Sequence, residues 1–183
     1  MSAGARFPRG VISAVGQKVR AAINPYVERS CYVGSYRRGL PTCGDLDILL
    51  LPIPGLSFRV SDAFASVCFG SVLDSGSGGE LDIGTVLCGY DSLTARMVSV
   101  NLFYTTPENW GSALLYTTGS KDYNKASRAW ARAMGYRLNQ YGVFRGGKRV
   151  PDSGFSERAA LRVIGLPWLP PARRTGSAFG VDR

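Results

Sequence analysis

The stretch Gly34-Ser35-Tyr36-Arg37-Arg38-Gly39-Leu40-Pro41-Thr42-Cys43-Gly44-Asp45-Leu46-Asp47 gathers the side chains of this 183-residue chain best suited to chemistry. A glycine-serine turn after a strand exposes backbone N–H groups, and such groups bind anions such as phosphate. Arg37 and Arg38, directly behind it, add charge-assisted donors. Asp45 and Asp47 lie two apart on one strand, so both carboxylates project from the same face. Paired carboxylates suit Mg²⁺, a hard ion that prefers oxygen ligands and keeps phosphate oxygens in its shell. A phosphate cradle next to such a pair is the equipment for phosphoryl or nucleotidyl transfer. A D-x-D pair alone marks many solvated strand starts; the weight comes from its place behind G-S and R-R. The chain has no histidine, which excludes a Ser-His-Asp or Cys-His nucleophile, a histidine base and any histidine-containing metal site.

The elements that must hold these residues can be read from periodicity. Pro8 opens a helix to about Ala22, with Val11, Ile12, Val15 and Val19 at helical spacing, and Asn24-Pro25 ends it. Ser30 to Val33 is a short strand, broken by Gly34-Ser35. Asp45 to Leu51 starts with alternation and ends in an apolar run, a strand with one buried face. Residues 60–73 read as a helix, 74–79 as a flexible turn, and 80–89 with 94–104 as an antiparallel strand pair. Thr106 is placed to cap a helix with Pro107 at its first position, and Ser120 to cap a basic helix to about Met134. Short pieces around 141–144, a Gly146-Gly147 turn and a helix near 156–164 follow, and the Pro-, Gly- and Arg-rich tail from Pro167 reads as extended or frayed.

Charge is placed unevenly along this order. Residues 1–119 hold nine basic and nine acidic side chains, whereas residues 120–183 hold thirteen basic and four acidic, the whole of the net +9. Such an imbalance in one third of a chain favours a polyanion, nucleic acid first, over a merely solvated face. No apolar run reaches the roughly 18 residues of a membrane span and no secretory signal is visible, so the reading is a soluble, intracellular protein with no membrane partner. Cys31, Cys43, Cys68 and Cys88 include no C-x-x-C pair and read as free thiols.

The Gly34–Asp47 run resembles the nucleotidyltransferase signature of the family X DNA polymerases. Three further blocks agree, in the right order. Leu115-Tyr116-Thr117-Thr118-Gly119-Ser120 with Asn124 and Arg128 is similar to the family's Y-F-T-G-S…N…R segment, where palm passes into thumb. Gly135 to Phe144 is similar to its G-[FY]-x-[IL]-N-x-Y segment, and Gly165-Leu166-Pro167-Trp168 through Arg174 to its final G-L-P-Y-x-x-P-x-x-R. The resemblance covers residues 30 to 174. It implies an α/β (α+β) fold, a nucleotidyltransferase palm with a mixed β-sheet over 1–105 and a small basic thumb over 106–183.

Carried over residue by residue, Ser35 and Arg38 would bind the triphosphate of the incoming nucleotide, with Gly34 and Gly44 beside it. Tyr116, Thr117, Gly119 and Asn124 would line its sugar and minor-groove side. Arg128 would reach the templating strand, and Lys121, Lys125, Arg132, Arg137 and Lys148 would join it on DNA. Asp45 and Asp47 would hold two Mg²⁺ (or Mn²⁺) ions. The implied partners are gapped or primer-template DNA and deoxynucleoside triphosphates, and the chain is expected to be a monomer. About 30 residues precede Gly34, too few for the family's lyase domain, so no lyase activity is expected. The reduced form resembles the small family X polymerase of a large DNA virus; if the chain is viral, host cytoplasm or virion is the expected location.

Two departures stand out. Thr117 occupies the place where the family usually has Phe, which bears on ribose discrimination. More consequential, the third family carboxylate falls at Asn101, an amide. Asn keeps the shape and removes the charge that favours loss of the primer hydroxyl proton. Three explanations are open: an engineered substitution, a neighbouring carboxylate (Asp82 or Glu80) in its stead, or a natural pseudo-enzyme. The expected function is template-directed addition of deoxynucleotides at a primer 3′ end, in short-gap repair. The alternatives are an inactive DNA-end or gap-binding protein, and another nucleotidyltransferase.

Overall fold

A computed structural model describes residues 6–67, 73–74, 83–91 and 96–175. The chain forms two compact units, one of Met1–Tyr36 with Leu40–Thr105, the other of Arg37–Gly39 with Thr106–Arg183. It therefore passes from the first unit to the second and back within the loop that follows Ser35.

The first unit begins with a two-residue strand β1 (Phe7–Pro8) and helix α1 (Arg9–Ile23). Ile12, Val15, Val19 and Ile23 form the buried stripe of α1 at helical spacing. Strand β2 (Val27–Tyr32), a single helical turn α2 (Gly34–Arg37), the short β3 (Thr42–Cys43), strand β4 (Asp45–Pro52) and helix α3 (Ser57–Ser66) follow. Strands β5 (Leu73–Asp74), β6 (Ile83–Asp91) and β7 (Arg96–Tyr104) complete a mixed five-stranded sheet of order β2-β4-β7-β6-β5. Strand β4 lies inside the sheet, antiparallel to β2 and parallel to the central β7, while β6 and β7 form the expected antiparallel pair. Leu46, Ile48 and Leu50 of β4 join Val98, Val100 and Leu102 of β7 and the apolar faces of α1 and α3 in one core.

The second unit holds α4 (Trp110–Thr118), α5 (Lys121–Ala133), a three-stranded sheet β8 (Arg137–Asn139), β9 (Gly142–Arg145), β10 (Lys148–Arg149), and α6 (Glu157–Val163). Its core is separate: Leu115, Tyr123, Ala131, Leu138, Val143, Ala160, Leu161 and Ile164 pack together. Ser120 caps α5 by accepting from the Tyr123 N–H, and Ser156 caps α6 by accepting from the Ala159 N–H.

Several sequence expectations are corrected. The first strand starts earlier, at Val27, because it pairs with β4 back to Pro52. Helix α3 starts at Ser57 rather than 60; the expected remainder over 68–72 and the 74–79 turn fall largely outside the described residues. Thr106 makes no side-chain cap, and a 3₁₀ turn over Pro107–Asn109 intervenes before α4. The piece expected around 141–144 is one strand of three. The tail from Pro167 is not frayed up to Thr175: it forms a 3₁₀ turn at Pro171–Arg173 and buries Arg174 to 1% exposure. Cys31 and Cys43 are free thiols, as read.

Helix α4 and the start of α6 meet at a glycine. A Cβ on Gly111 would fall 2.0 Å from Ser156 Cα and 2.2 Å from its C and N, and the Gly111 N–H donates to the Gly154 carbonyl at 2.7 Å. Alanine is the better helix former by about 1 kcal/mol, but backbone cannot move aside as a side chain does. Gly111→Ala is expected to lower stability by about 3 kcal/mol, read as a fall in the urea midpoint.

Candidate active site

In the first unit the alternation of β4 turns Asp45 and Asp47 to one face and Leu46 and Ile48 into the core, the latter two at 0% exposure. Parallel pairing with β7 sets Asp45 opposite Ser99 and Asp47 opposite Asn101. Asn101 Nδ2 donates to Asp47 Oδ1 at 2.8 Å. The two residues, 54 positions apart, are thus brought together as the resemblance required, and what they form is a carboxylate–amide contact. The loop closes over the same carboxylate: Gly34 has φ of 56°, and a Cβ there would sit 2.0 Å from Asp47 Oδ2. Only glycine allows this approach. Ser35 follows on the turn of α2, and Gly44 lies between β3 and β4, so both are in this unit. The turn is steadied by Arg9, which donates to the Tyr36 carbonyl at 2.6 Å and lies 3.8 Å over its ring.

Among the described residues no three of His, Cys, Asp and Glu cluster to hold an ion. The oxygen donors present are the two aspartates and the Asn101 amide. Two hard carboxylates on one face fit a divalent ion that also takes phosphate oxygens; Asn101 adds no charge to that set. Glu80 and Asp82, the carboxylates considered as substitutes, lie outside the described residues.

In the second unit a shallow cleft is lined by Leu115, Tyr116, Asn124, Arg128, Leu138 and Asn139 among others. Three residues singled out from the sequence therefore meet, together with Asn139 of the third block. Asn124 Nδ2 donates to the Tyr116 carbonyl at 2.7 Å, and Arg128 Nε donates to the Asn124 carbonyl at 3.0 Å. Neither Asn124 nor Arg128 is a fully exposed helix residue. The Thr117 hydroxyl donates back to the Ala113 carbonyl at 2.7 Å, an in-helix bond. Gly119 has φ of 63° and a cis peptide to Ser120; a Cβ there would lie 3.5 Å from Arg38 Nη1. Arg38 Nη1 itself donates to the Thr118 carbonyl at 2.5 Å. Lys121, Lys125 and Arg132 on α5, Arg137 on β8 and Lys148 on β10 are exposed.

Glu157 was not singled out from the sequence, and Trp168 and Arg174 were named there only as positions of the closing block, with no role assigned. Glu157 is 6% exposed at the first position of α6. Arg37 reaches it with both terminal nitrogens, Nη1 to Oε1 at 2.7 Å and Nη2 to Oε2 at 3.1 Å. Arg174 Nη1 donates to Oε1 at 2.7 Å and the Trp168 indole N–H to Oε2 at 3.0 Å. Burial pushes this carboxyl upward, but the hydrogen bonds and charges of Arg174 and Arg37 outweigh it and hold the pKa at about 2. The available signal was Glu157 directly after Ser156, the acidic first turn of a capped helix; nothing nearby in sequence names its partners.

Residues 6–65 match the family model of the DNA polymerase beta palm, and residues 113–175 that of the DNA polymerase beta thumb. DNA polymerase lambda of Rattus norvegicus is 27% identical over 191 residues, covering 92% of this chain and 33% of that protein. DNA polymerase/3′-5′ exonuclease PolX of Bacillus subtilis is 27% identical over 171 residues, covering 92% of this chain and 28% of that one. Repair DNA polymerase X of African swine fever virus is 25% identical over 148 residues, covering 78% of this chain and 79% of the viral protein. The chain thus spans about a third of the length of the lambda polymerase and of PolX, and most of the viral protein's.

The depressed pKa of Glu157 sets a pH dependence. Its contribution is fully present above the unfolded value near 4.5 and is lost as pH falls toward about 2. Glu157→Gln removes that charge at every pH. The stability gap between the native chain and this variant is expected to be on the order of 3 kcal/mol at pH 6 and to shrink as pH falls from 4.5 toward 2. Thermal melts of both proteins across that range check it; a gap that stays constant contradicts the assignment.

Proposed function

Since the chain belongs to the family X DNA polymerases, we propose that it is a DNA-directed DNA polymerase adding deoxynucleotides to a primer 3′ end at short gaps. The observation that carries this reading is the Gly34–Asp47–Asn101 contact, which puts a phosphate-type turn against a carboxylate pair on an interior strand.

Ser35 and Arg38 bind the triphosphate in this reading, and Gly34 and Gly44 let backbone approach it. Tyr116, Thr117, Gly119 and Asn124 line the sugar and minor-groove side of the nucleotide. Thr117 carries less bulk than an aromatic residue there, so ribose is excluded less strictly. Asn124, bonded to the Tyr116 carbonyl, must exchange that partner to donate to a base. Arg128 and the exposed Lys121, Lys125, Arg132, Arg137 and Lys148 carry the DNA phosphates. Asp45 and Asp47 would hold Mg²⁺ or Mn²⁺, which when bound neutralises phosphate charge and makes the primer hydroxyl more acidic.

Asn101 is the weak member of this site. Its amide satisfies Asp47 but cannot accept a proton or supply negative charge where the primer hydroxyl ionises. Nucleotide binding is retained and the chemical step slowed. Asn101→Asp is expected to extend a one-nucleotide-gapped primer on the order of 100-fold faster with Mg²⁺ than the native chain. Equal rates would move the third-ligand role elsewhere, with Asp82 the next to replace. Gap binding without extension by either protein would favour the binding-protein reading.

The DNA reading carries a second expectation. The affinity for gapped duplex should fall by about 0.9 log units per log unit of salt for each phosphate contacted. Fluorescence anisotropy over a salt series measures the slope, and a salt-independent dissociation constant rules the basic face out as a phosphate grip.

A further inference from the structure

We propose that Phe144 is a positioning residue for DNA binding: its ring holds the Arg137 guanidinium ready for a backbone phosphate on the solvent face of the three-stranded sheet. The inference rests on the DNA reading above, in which Arg137 meets phosphate, and names what sets that side chain's direction.

Two tight turns fix the register of this sheet. Strands β8 and β9 join across Gln140-Tyr141, where the Tyr141 N–H donates to Asn139 Oδ1 at 3.0 Å. Strands β9 and β10 join across Gly146-Gly147, with φ of 55° and 79°, the left-handed values a two-residue hairpin asks for. Leu138 and Val143 stand opposite each other, and both belong to the core of the second unit. Side chains alternate along a strand, so the next pair, Arg137 opposite Phe144, faces away from that core. Arg149 stands opposite Phe144 from the other side. The outward row across the three strands therefore runs cation, ring, cation.

A phenylalanine in that row adds nothing to the core. Tyr136, Val150, Val163, Trp168 and Leu169 are the half-buried apolar residues packed against it, and Phe144 is not among them. Phe144 is nonetheless half-buried, and a guanidinium lies over it: Arg137 Cζ is 4.8 Å from the ring centroid. The two flanking arginines differ in their commitments. Arg149 Nη2 donates to the Glu108 carbonyl, which ties β10 to the turn before α4. Arg137 is exposed and, among the described residues, meets no carboxylate. A guanidinium held over a ring face still carries N–H donors at its rim, so the contact orients the group and leaves it able to bind phosphate. It also removes in advance part of the rotamer freedom that an unsupported side chain loses on binding. The neighbouring pair, Arg145 over Tyr136 at 5.3 Å, serves another end, since Tyr136 is one of the rings packed on the core.

The test is anisotropy of a labelled one-nucleotide-gapped duplex with the full chain, over a salt series. Phe144→Leu keeps apolar bulk and removes the ring. It is expected to weaken binding about five-fold with the salt slope unchanged, because the phosphate contact is still made. Phe144→Tyr, which keeps the ring face, should bind as the native chain does. Arg137→Ala loses the contact itself, so its salt slope should be smaller by about 0.9. Adding Phe144→Leu to Arg137→Ala should then change the affinity by no more than about two-fold. Native-like binding by Phe144→Leu overturns the inference and leaves the DNA reading standing. An undiminished effect of Phe144→Leu in the Arg137→Ala background also overturns it, since the ring then acts without the arginine. A loss that Phe144→Tyr shares reports a disturbed sheet and overturns it as well. A native chain whose binding to the gapped duplex is absent or independent of salt overturns the DNA reading and this inference together.

Discussion

A carboxylate withdrawn from water must be surrounded by donors or give up its charge, and Glu157 is surrounded. Four donor groups from Arg37, Trp168 and Arg174 converge on it. They come from widely separated segments: the end of α2, and the last stretch of described chain. The start of α6 brings the carboxylate itself, where the helix dipole favours a negative charge. The Pro-rich tail is ordered onto this unit because its arginine has a buried partner, and Arg174 also stacks on Tyr123 and Trp168. Losing the carboxylate would leave the buried Arg174 guanidinium without its charge partner, at a cost of about 3–5 kcal/mol.

The first unit rests on a different principle, the period-two geometry of a strand. Strand β4 buries Leu46, Ile48 and Leu50 and leaves Asp45 and Asp47 on the other side. Its neighbour β7 runs parallel, which sets residue 101 beside residue 47. With Asn there, Asp47 receives a hydrogen bond where a second carboxylate would bring like charge. The amide therefore makes a quieter, better satisfied pair in the absence of cations, at the expense of the charge that the proposed nucleotidyl transfer would draw upon.

Much of this was legible in the residues, for reasons of range. The cap at Ser120, the stripe of α1 and the alternation of β4 are set by neighbours within four positions, and these appear. The aspartate pair and its glycine turn are likewise local. What was hidden depends on partners far away in sequence. Glu157 is 120 residues from Arg37, and neither carries a mark that it will be buried. Arg174 reads as the last position of the closing block in a basic tail, and nothing beside it in sequence shows that it is buried. The small sheet β8–β9–β10 was fragmentary because its strands are two to four residues long, too short to show a period. The adjacency of Asn101 and Asp47 came from a family resemblance; the strand pattern by itself does not specify a parallel neighbour.

The approach of Gly34 to Asp47 carries a lesson about length. A strand inverts its two faces whenever one residue is added or lost. A single insertion between Asp45 and Asp47 would set the two carboxylates on opposite faces of β4. A substitution can be compensated by a neighbour, whereas a shift of frame within the strand exchanges the whole set at once. Descent with change in this segment is therefore confined to replacement, and gain or loss of residues must be taken up beyond it, in connections such as Pro52–Leu56, where a count of positions carries no orientation.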